Sequence, residues 1–439
     1  MLSLLLAAPF LAAPQQDFFL RQETPTGLEG AIEGIAGFQF SCGWVLDAQG
    51  VRHAVRYDEQ GPHDLGSLFA GADSEARAVD FSGRVIGWSK KIVNGGLRKQ
   101  PFSYDDVDGM RALPMQGGFE GWAEDLSIYG SETVGTMRLF DGSLHAWEYQ
   151  EGVHTTVDLL PTLGGWESEA LSVDDGFVGG LMRDPAGREY AVIWDRVRDI
   201  WFVPTPGTGN ARITDIAVNG RMCGYYTDAA GNDHGFHSNA HSPSNPIEAL
   251  PSLGGNWSRA FGLTGGDVIV GSAADVHQEA RAFRYTISDG QMLDLNDRVV
   301  AVPGRVLRSA VSVEHPTLIA LHGELHGIAT GYFSKQVTLF ASTAAAGQQG
   351  ILSVSSAPSQ AAVVYAYGRK SGLTAVPGCP GLTIDIARAR VAARGITGEF
   401  GGHSVWVNVP PGTSGLSLLV QAVLPTECLS TEVSSVTIL

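Results

Sequence analysis

The sequence predicts an all-β chain: a β-propeller of seven blades followed by a small Ig-like β-sandwich. Three observations lead there. A glycine-marked phrase recurs at Gly43, Gly87, Gly135, Gly179, Gly224, Gly271 and Gly327, a period of about 45 residues, typical of solenoids and propellers. Charged residues make up only 17% of the chain and glycine is abundant at 56 residues, which suits turn-rich β-structure. The repeat then stops near residue 341, and alternating strands of a different kind take over.

Residues 1–16 come first. Met1 to Ala13 is a short apolar run ending in small residues, followed by Pro14, and reads as a secretory signal peptide. No later stretch offers 18 or more continuous apolar residues, so no transmembrane segment is expected in the mature chain. Asp17 to Leu20 is expected to be an N-terminal strand that completes the last blade.

Residues 17–341 are the expected propeller. Each unit opens with a small residue, two spacers and an aliphatic one, as in Ala76/Val79, Ala123/Leu126, Ala170/Val173 and Ala260/Leu263. A turn and a β-rich run to the marker glycine follow. A third strand of the type His-Ala-Phe-x-Tyr comes next, as in His53–Tyr57, His145–Tyr149 and Arg281–Tyr285. Residues two apart in a strand share a face, so Trp147 and Tyr149 point one way and Ala146 the other. Large side chains on one face and small ones on the other suit stacked blades. The turns before this strand, Asp47–Gly50, Asp184–Gly187 and Asp228–Gly231, have the Asp and Gly of a type I turn with a left-handed position. They supply too few oxygens for a calcium loop.

These phrases resemble the HAF family of extracellular repeats. Its further pattern, Leu-Gly-Gly-x-x-Ser-x-Ala, stands as Leu163–Ala170 and Leu253–Ala260, and more loosely as Gln116–Ala123. The resemblance covers about residues 25 to 342. In its last unit the His-Ala-Phe strand has worn to Lys335–Phe340. The resemblance implies secretion and repeated β-units, and carries no catalytic signature.

Residues 342–350 have linker composition. Residues 351–439 hold short strands separated by Pro and Gly turns, the spacing of a β-sandwich. Cys379 and Cys428 lie here, and a secreted chain is expected to join them in a disulfide worth about 4 kcal/mol in the chain-entropy model. Cys42 and Cys223 each precede a marker glycine. They hold equivalent sites in distant units and are expected to be buried free thiols.

The formal net charge is −17, which argues against nucleic acid as a partner. No metal or cofactor is expected, and no catalytic residue is identified. His322-Gly-Glu-Leu-His326 has the wrong order for a His-Glu-x-x-His site, and Gly323 places His322 in a turn. Ser172-Val-Asp-Asp-Gly176 is explained as a repeat turn. Trp122, Trp166 and Trp257 all lie in the segment that opens a unit, where inter-blade connections gather at one end of a propeller. They are the candidate ligand-binding residues, since indole rings stack on sugar faces, although wedging between blades would place them in the core. The expected function is a secreted, non-catalytic binding or interaction propeller for a polysaccharide or a cell-surface protein. A secreted carbohydrate-active hydrolase or lyase is the second reading, and a structural matrix protein the third.

Overall fold

In the computed structural model, residues 18–439 are described except for short segments, the longest being 23–28, 160–165, 239–246, 298–305, 356–360 and 398–402. The signal-peptide run, Gly327, His326 and Cys428 lie outside the described residues. Contacts divide the chain into two units, 1–333 and 334–439.

The first unit is a seven-bladed β-propeller. Six four-stranded antiparallel sheets follow in chain order, within residues 30–64, 74–112, 118–158, 167–202, 211–249 and 254–294. The seventh sheet takes Val306–His315, Leu318–Glu324 and Ala329–Lys335, and its fourth strand is Phe18–Gln22 from the N-terminus. The first and last strands of the propeller therefore share a sheet, as the expected N-terminal strand required. The N-terminal strand covers the outer edge of the seventh sheet, which then has four strands like the other six.

Seven buried apolar clusters hold the ring, one at each blade interface. Trp147 and Tyr149 of blade 3 pack with Ile86 and Leu113 of blade 2. On the other face of the same strand, Ala146 packs with Ala170, Val173 and Val178 of blade 4. Phe102, Phe236 and Phe283 likewise face the preceding blade. The last interface, between blades 7 and 1, joins Val311 to Ile32, Ile35, Val55 and Tyr57. Large-against-small packing is what the alternation predicts, and it lets adjacent sheets approach at the alanine face.

The marker glycines have a backbone cause. Every blade has a bulge at an equivalent place in its first strand, for example between Ala76 and Ala78, Ala123 and Asp125, and Ala310 and Ser312. A bulge re-aims the local backbone. Here the carbonyl one residue before the position that faces the glycine (Ala31, Glu75, Trp122, Glu169, Arg212 or Arg259) occupies the space a Cβ would need on that glycine. Only glycine fits at Gly43, Gly87, Gly135, Gly180, Gly224 and Gly271. The register corrects two expected positions. In blade 4 the glycine facing Ala170 is Gly180, and Gly179 faces Ser172. In blade 7 the position facing Ala310 is Leu321.

The second unit is a β-sandwich. Thr338–Ala341, Gln349–Ser355 and His403–Asn408 form one sheet. Arg390–Ile396, Ala362–Gly368, Ser417–Leu424 and Leu429–Ser430 form the other, with Ser434–Thr437 paired to Ser417–Leu424. Leu352 and Val354 meet Val363, Tyr365, Val420 and Ala422 in its core. The unit begins earlier than the expected boundary at 341. Strand Thr338–Ala341, read from sequence as part of the last repeat, pairs with Gln349–Ser355 instead. Within the expected linker, Gly347 N–H donates to the Val409 carbonyl and Ala346 N–H to that of Leu439.

Candidate functional site

Most of the repeated polar residues are fastenings. The Ser of Ser-x-Ala accepts the backbone N–H of the small residue in the preceding blade's third strand: Ser74 from Ala54 at 2.9 Å, Ser168 from Ala146 at 2.9 Å and Ser258 from Gly235 at 3.1 Å. The carbonyls of Ala54, Ala146 and Gly235 in turn accept the N–H of Leu65, Leu159 and Leu250. The His of His-Ala-Phe clasps an aspartate of the turn or of the fourth strand. His53 meets Asp64 at 2.9 Å, His145 meets Asp158 at 2.7 Å, and His234 meets Asp228 at 2.9 Å. Tyr190 and Arg281 fill the same role toward Asp184 and Asp275.

What the repeat does not dictate is the lining of the central channel. The bulge in each first strand delivers residues from all seven blades to a cavity of about 230 Å³. Glu33, Arg77, Glu124, Leu171, Thr214, Phe261 and Val311 line it, each standing just after the residue that faces the marker glycine, or Leu321 in blade 7. At this one position blades 1 to 3 supply charge and blades 4 to 7 supply apolar side chains and one hydroxyl; Asp80, Asp125, Asp174 and Asp215 also line the cavity.

On the charged side, Arg77 stands between two glutamates. Its guanidinium lies 4.0 Å from Glu33 and 3.9 Å from Glu124, and a third carboxylate, Glu75, is at 2.9 Å. Indole N–H groups orient the outer pair: Trp44 Nε1 donates to Glu33 at 3.1 Å, and Trp122 donates to Glu124. Burial pushes the Glu124 carboxyl above its usual range, against the pull of Arg77. Arg52 lies 4.0 Å over the Trp44 ring, and Lys99 Nζ lies 3.9 Å over the Trp88 ring and 5.8 Å from that of Trp122. Burial lowers the pKa of Lys99. Lys99 reaches the indoles because the blade 2 hairpin, Val85–Val93 with Gly96–Asp105, is longer than its counterparts and turns at Asn94-Gly95, both with positive φ.

Deeper in the wall, Ser172 bridges two aspartates. Its hydroxyl oxygen lies 2.9 Å from Asp125 and 2.8 Å from Asp215. Asp125 accepts the N–H of Val173, Ser172 that of Ile216, and Asp215 that of Leu263. The ladder therefore ties blades 3, 4, 5 and 6 in series. Ser172 has one hydroxyl proton for two carboxylates, so a second proton must be held between them. Burial raises the carboxyl of Asp125 to about 6, and burial with the charge of Asp125 raises Asp215 to about 8. These are latch groups. Each oxygen that faces a neighbouring blade already accepts a backbone N–H.

The three tryptophans proposed from sequence lie on blades 3, 4 and 6 and keep separate company. Trp122 stands behind the channel lining and donates to Glu124, which lines it. Trp166 packs against the core between blades 3 and 4 and meets Tyr190 and Phe202, with centroids 5.6 and 6.1 Å away. Trp257 stands beside Arg259, whose guanidinium is 5.8 Å from the ring. All three are half-buried. Trp44 and Trp88, which sequence reading passed over, directly follow the marker glycines Gly43 and Gly87, and that position was the available signal.

Other candidates find structural roles. Cys42 and Cys223 are free and buried, as expected. Ser172 belongs to the latch. His322 and Glu324 lie on strand Leu318–Glu324, so His322 is in a strand where a turn was expected. Among the described residues no group of three or more His, Cys, Asp or Glu is disposed to hold a metal. No described helix is long and apolar enough to cross a membrane.

No protein-family model matches the chain, and no curated protein is similar to it. Solved structures with a similar course include TolB from Acinetobacter baumannii, at 10% identity and a TM-score of 0.39 over 58% of this chain and 62% of that one. A puromycin-hydrolyzing peptidase of Mycobacterium tuberculosis gives 12% and 0.44 over 79% and 52%. The acylaminoacyl peptidase of Pyrococcus horikoshii gives 9% and 0.47 over 78% and 61%. The chain spans 52% to 62% of the length of these three. At such scores the propeller assignment rests on the seven sheets themselves, and nothing of the relatives' activities passes to this chain.

Proposed function

We propose that this chain is a secreted, non-catalytic binding protein of the HAF-repeat kind whose propeller takes a saccharide at the channel mouth. One observation carries the reading: the Glu33–Arg77–Glu124 row, flanked by Trp44 and Trp122, breaks the repeat on one side of the channel only. Carboxylates accept sugar hydroxyls, a guanidinium donates to them, and indole faces cover the apolar face of a pyranose. Leu171, Phe261 and Val311 place apolar side chains at the matching positions of blades 4, 6 and 7. Export through the N-terminal run and a Cys379–Cys428 disulfide belong to the same reading. Cys379 is buried, and its Sγ lies 3.2 Å from the carbonyl oxygen of Pro425, close in sequence to Cys428.

A hydrolase is the second reading, favoured by the raised carboxyl of Glu124 facing Glu33 across Arg77. A carboxyl whose pKa is raised by burial is the kind a general acid needs.

The test is binding of the full chain to neutral and acidic oligosaccharides, alongside Trp122→Ala and Glu124→Gln. Loss of about tenfold or more in affinity in either folded variant is expected, the worth of one or two charge-assisted contacts. Equal binding by both variants contradicts the site. Cleavage of the bound glycan, abolished by Glu124→Gln, selects the hydrolase.

A further inference from the structure

We propose that the C-terminal sandwich binds an anionic amphiphile, an apolar chain with a carboxylate or phosphate head, in the open end of the space between its sheets. Three features of this unit combine.

The first is charge. Residues 334–439 carry six Lys and Arg against four Asp and Glu, a net of +2, so the rest of a chain at −17 carries −19. Five of those six cations fall between Arg369 and Arg394 and are exposed. Among the described residues none of the five has an ion-pair partner, whereas Arg77 and Arg183 of the propeller engage three carboxylates each.

The second is shape. A cleft of about 860 Å³ opens within the unit, several times the volume of the propeller channel. Its floor continues the sandwich core: Leu352 and Val407 from one sheet face Leu418, Val420 and Val436 from the other.

The third is the rim. Arg369, Arg388 and Arg390 stand at the cleft with Trp406, which is 64% exposed. Arg388 has φ +51°, a left-handed conformation unusual for a residue with a side chain.

Apolar floor and unpaired guanidinium rim call for a ligand with both characters. Each buried methylene contributes about 0.8 kcal/mol, and guanidinium groups hold carboxylate or phosphate through paired N–H donors. An acidic oligosaccharide satisfies the rim and leaves the floor unmatched. The probes are therefore decanoate, decanol and trigalacturonate, titrated into the full chain by calorimetry below the micellar range. Two variants accompany them: Arg369→Gln/Arg388→Gln/Arg390→Gln, which alters only exposed side chains, and Leu418→Trp, which fills the floor. Circular dichroism checks that both stay folded.

The expected result is saturable binding of decanoate, weakened about tenfold or more for decanol and in the triple variant, and lost in Leu418→Trp. Decanoate binding that the triple variant leaves unchanged overturns the proposal. So does absence of saturable binding. Trigalacturonate binding that survives Leu418→Trp, with no decanoate binding, overturns it in favour of a sugar site on the rim.

Discussion

Ser168 Oγ accepts the backbone N–H of Ala146 across the interface of blades 3 and 4, at 2.9 Å. The two halves of the repeat signature, Ser-x-Ala and His-Ala-Phe, thus meet in space though they lie in different blades. The alanine must be small because the next blade's first strand presses against it, and its buried N–H needs a partner from that strand. Ser168→Ala leaves that donor unsatisfied. A loss of about 1–3 kcal/mol is expected, read from urea unfolding of the variant. Ser258→Ala should behave alike through Gly235. A stability change within error in both would remove the inter-blade hydrogen bond as the reason for the motif.

The bulge explains the glycine that gave the repeat its period. A Cβ on Gly135 would overlap the carbonyl oxygen of Trp122. Gly135→Ala should cost about 1–3 kcal/mol or more, because backbone rather than a flexible side chain must give way. Gly142, at an exposed turn with nothing near its would-be Cβ, has φ +94°, so its substitution brings backbone strain without overlap. Thermal unfolding of Gly135→Ala and Gly142→Ala tests the distinction. A melting temperature for Gly135→Ala at or above that of Gly142→Ala contradicts it.

The Asp125–Ser172–Asp215 ladder predicts a pH dependence. Asp215 is raised to about 8 and Asp125 to about 6 in the folded chain, above the usual carboxylate range near 4. Between about pH 4 and 8 the folded state therefore holds protons that the unfolded state has released. Stability contributed by these groups is present at low pH and falls as pH rises through that window. Asp215→Asn keeps an acceptor for Leu263 N–H and removes the larger titration. The slope of unfolding free energy against pH should flatten between pH 6 and 8 in this variant. An unchanged slope would show that the ladder holds no extra proton.

Thiol counting tests the covalent part of the account. Cys42 and Cys223 are free and buried. Under denaturing, non-reducing conditions the chain, produced in an oxidising compartment, should take up two alkyl groups, and four after reduction. Four without reduction would mean that Cys379 and Cys428 remain thiols.

Local chemistry made much of the propeller legible in the sequence. The Trp147/Ala146 alternation stated which face of each strand would meet a small neighbour, and Asp47 with Gly50 stated a turn. Blade 7 was harder to read. There Leu321 stands where other blades have glycine, so the period drifted to Gly327 and the following strand was placed too late. The partner of Ser168 could not be read, because a hydrogen bond between blades leaves no spacing signal. The channel mouth failed for a related reason. Glu33, Arg77 and Glu124 are ordinary charged residues until the register shows that all three immediately follow the residue facing the marker glycine of their blades. Trp166, in contrast, carried an aromatic signal and turned out to lean on the core.

Indole N–H resonances offer the most direct measurement of the central claim, that ligand binds where Trp44 and Trp122 hold Glu33 and Glu124. In protein labelled at tryptophan nitrogen, with resonances assigned through single Trp→Phe variants, saturation with the tightest-binding oligosaccharide should shift Trp44 and Trp122. Trp166 and Trp257 should stay in place. Shifts confined to Trp166 or Trp257, or no shift at any propeller tryptophan during saturable binding, would contradict a ligand at the channel mouth.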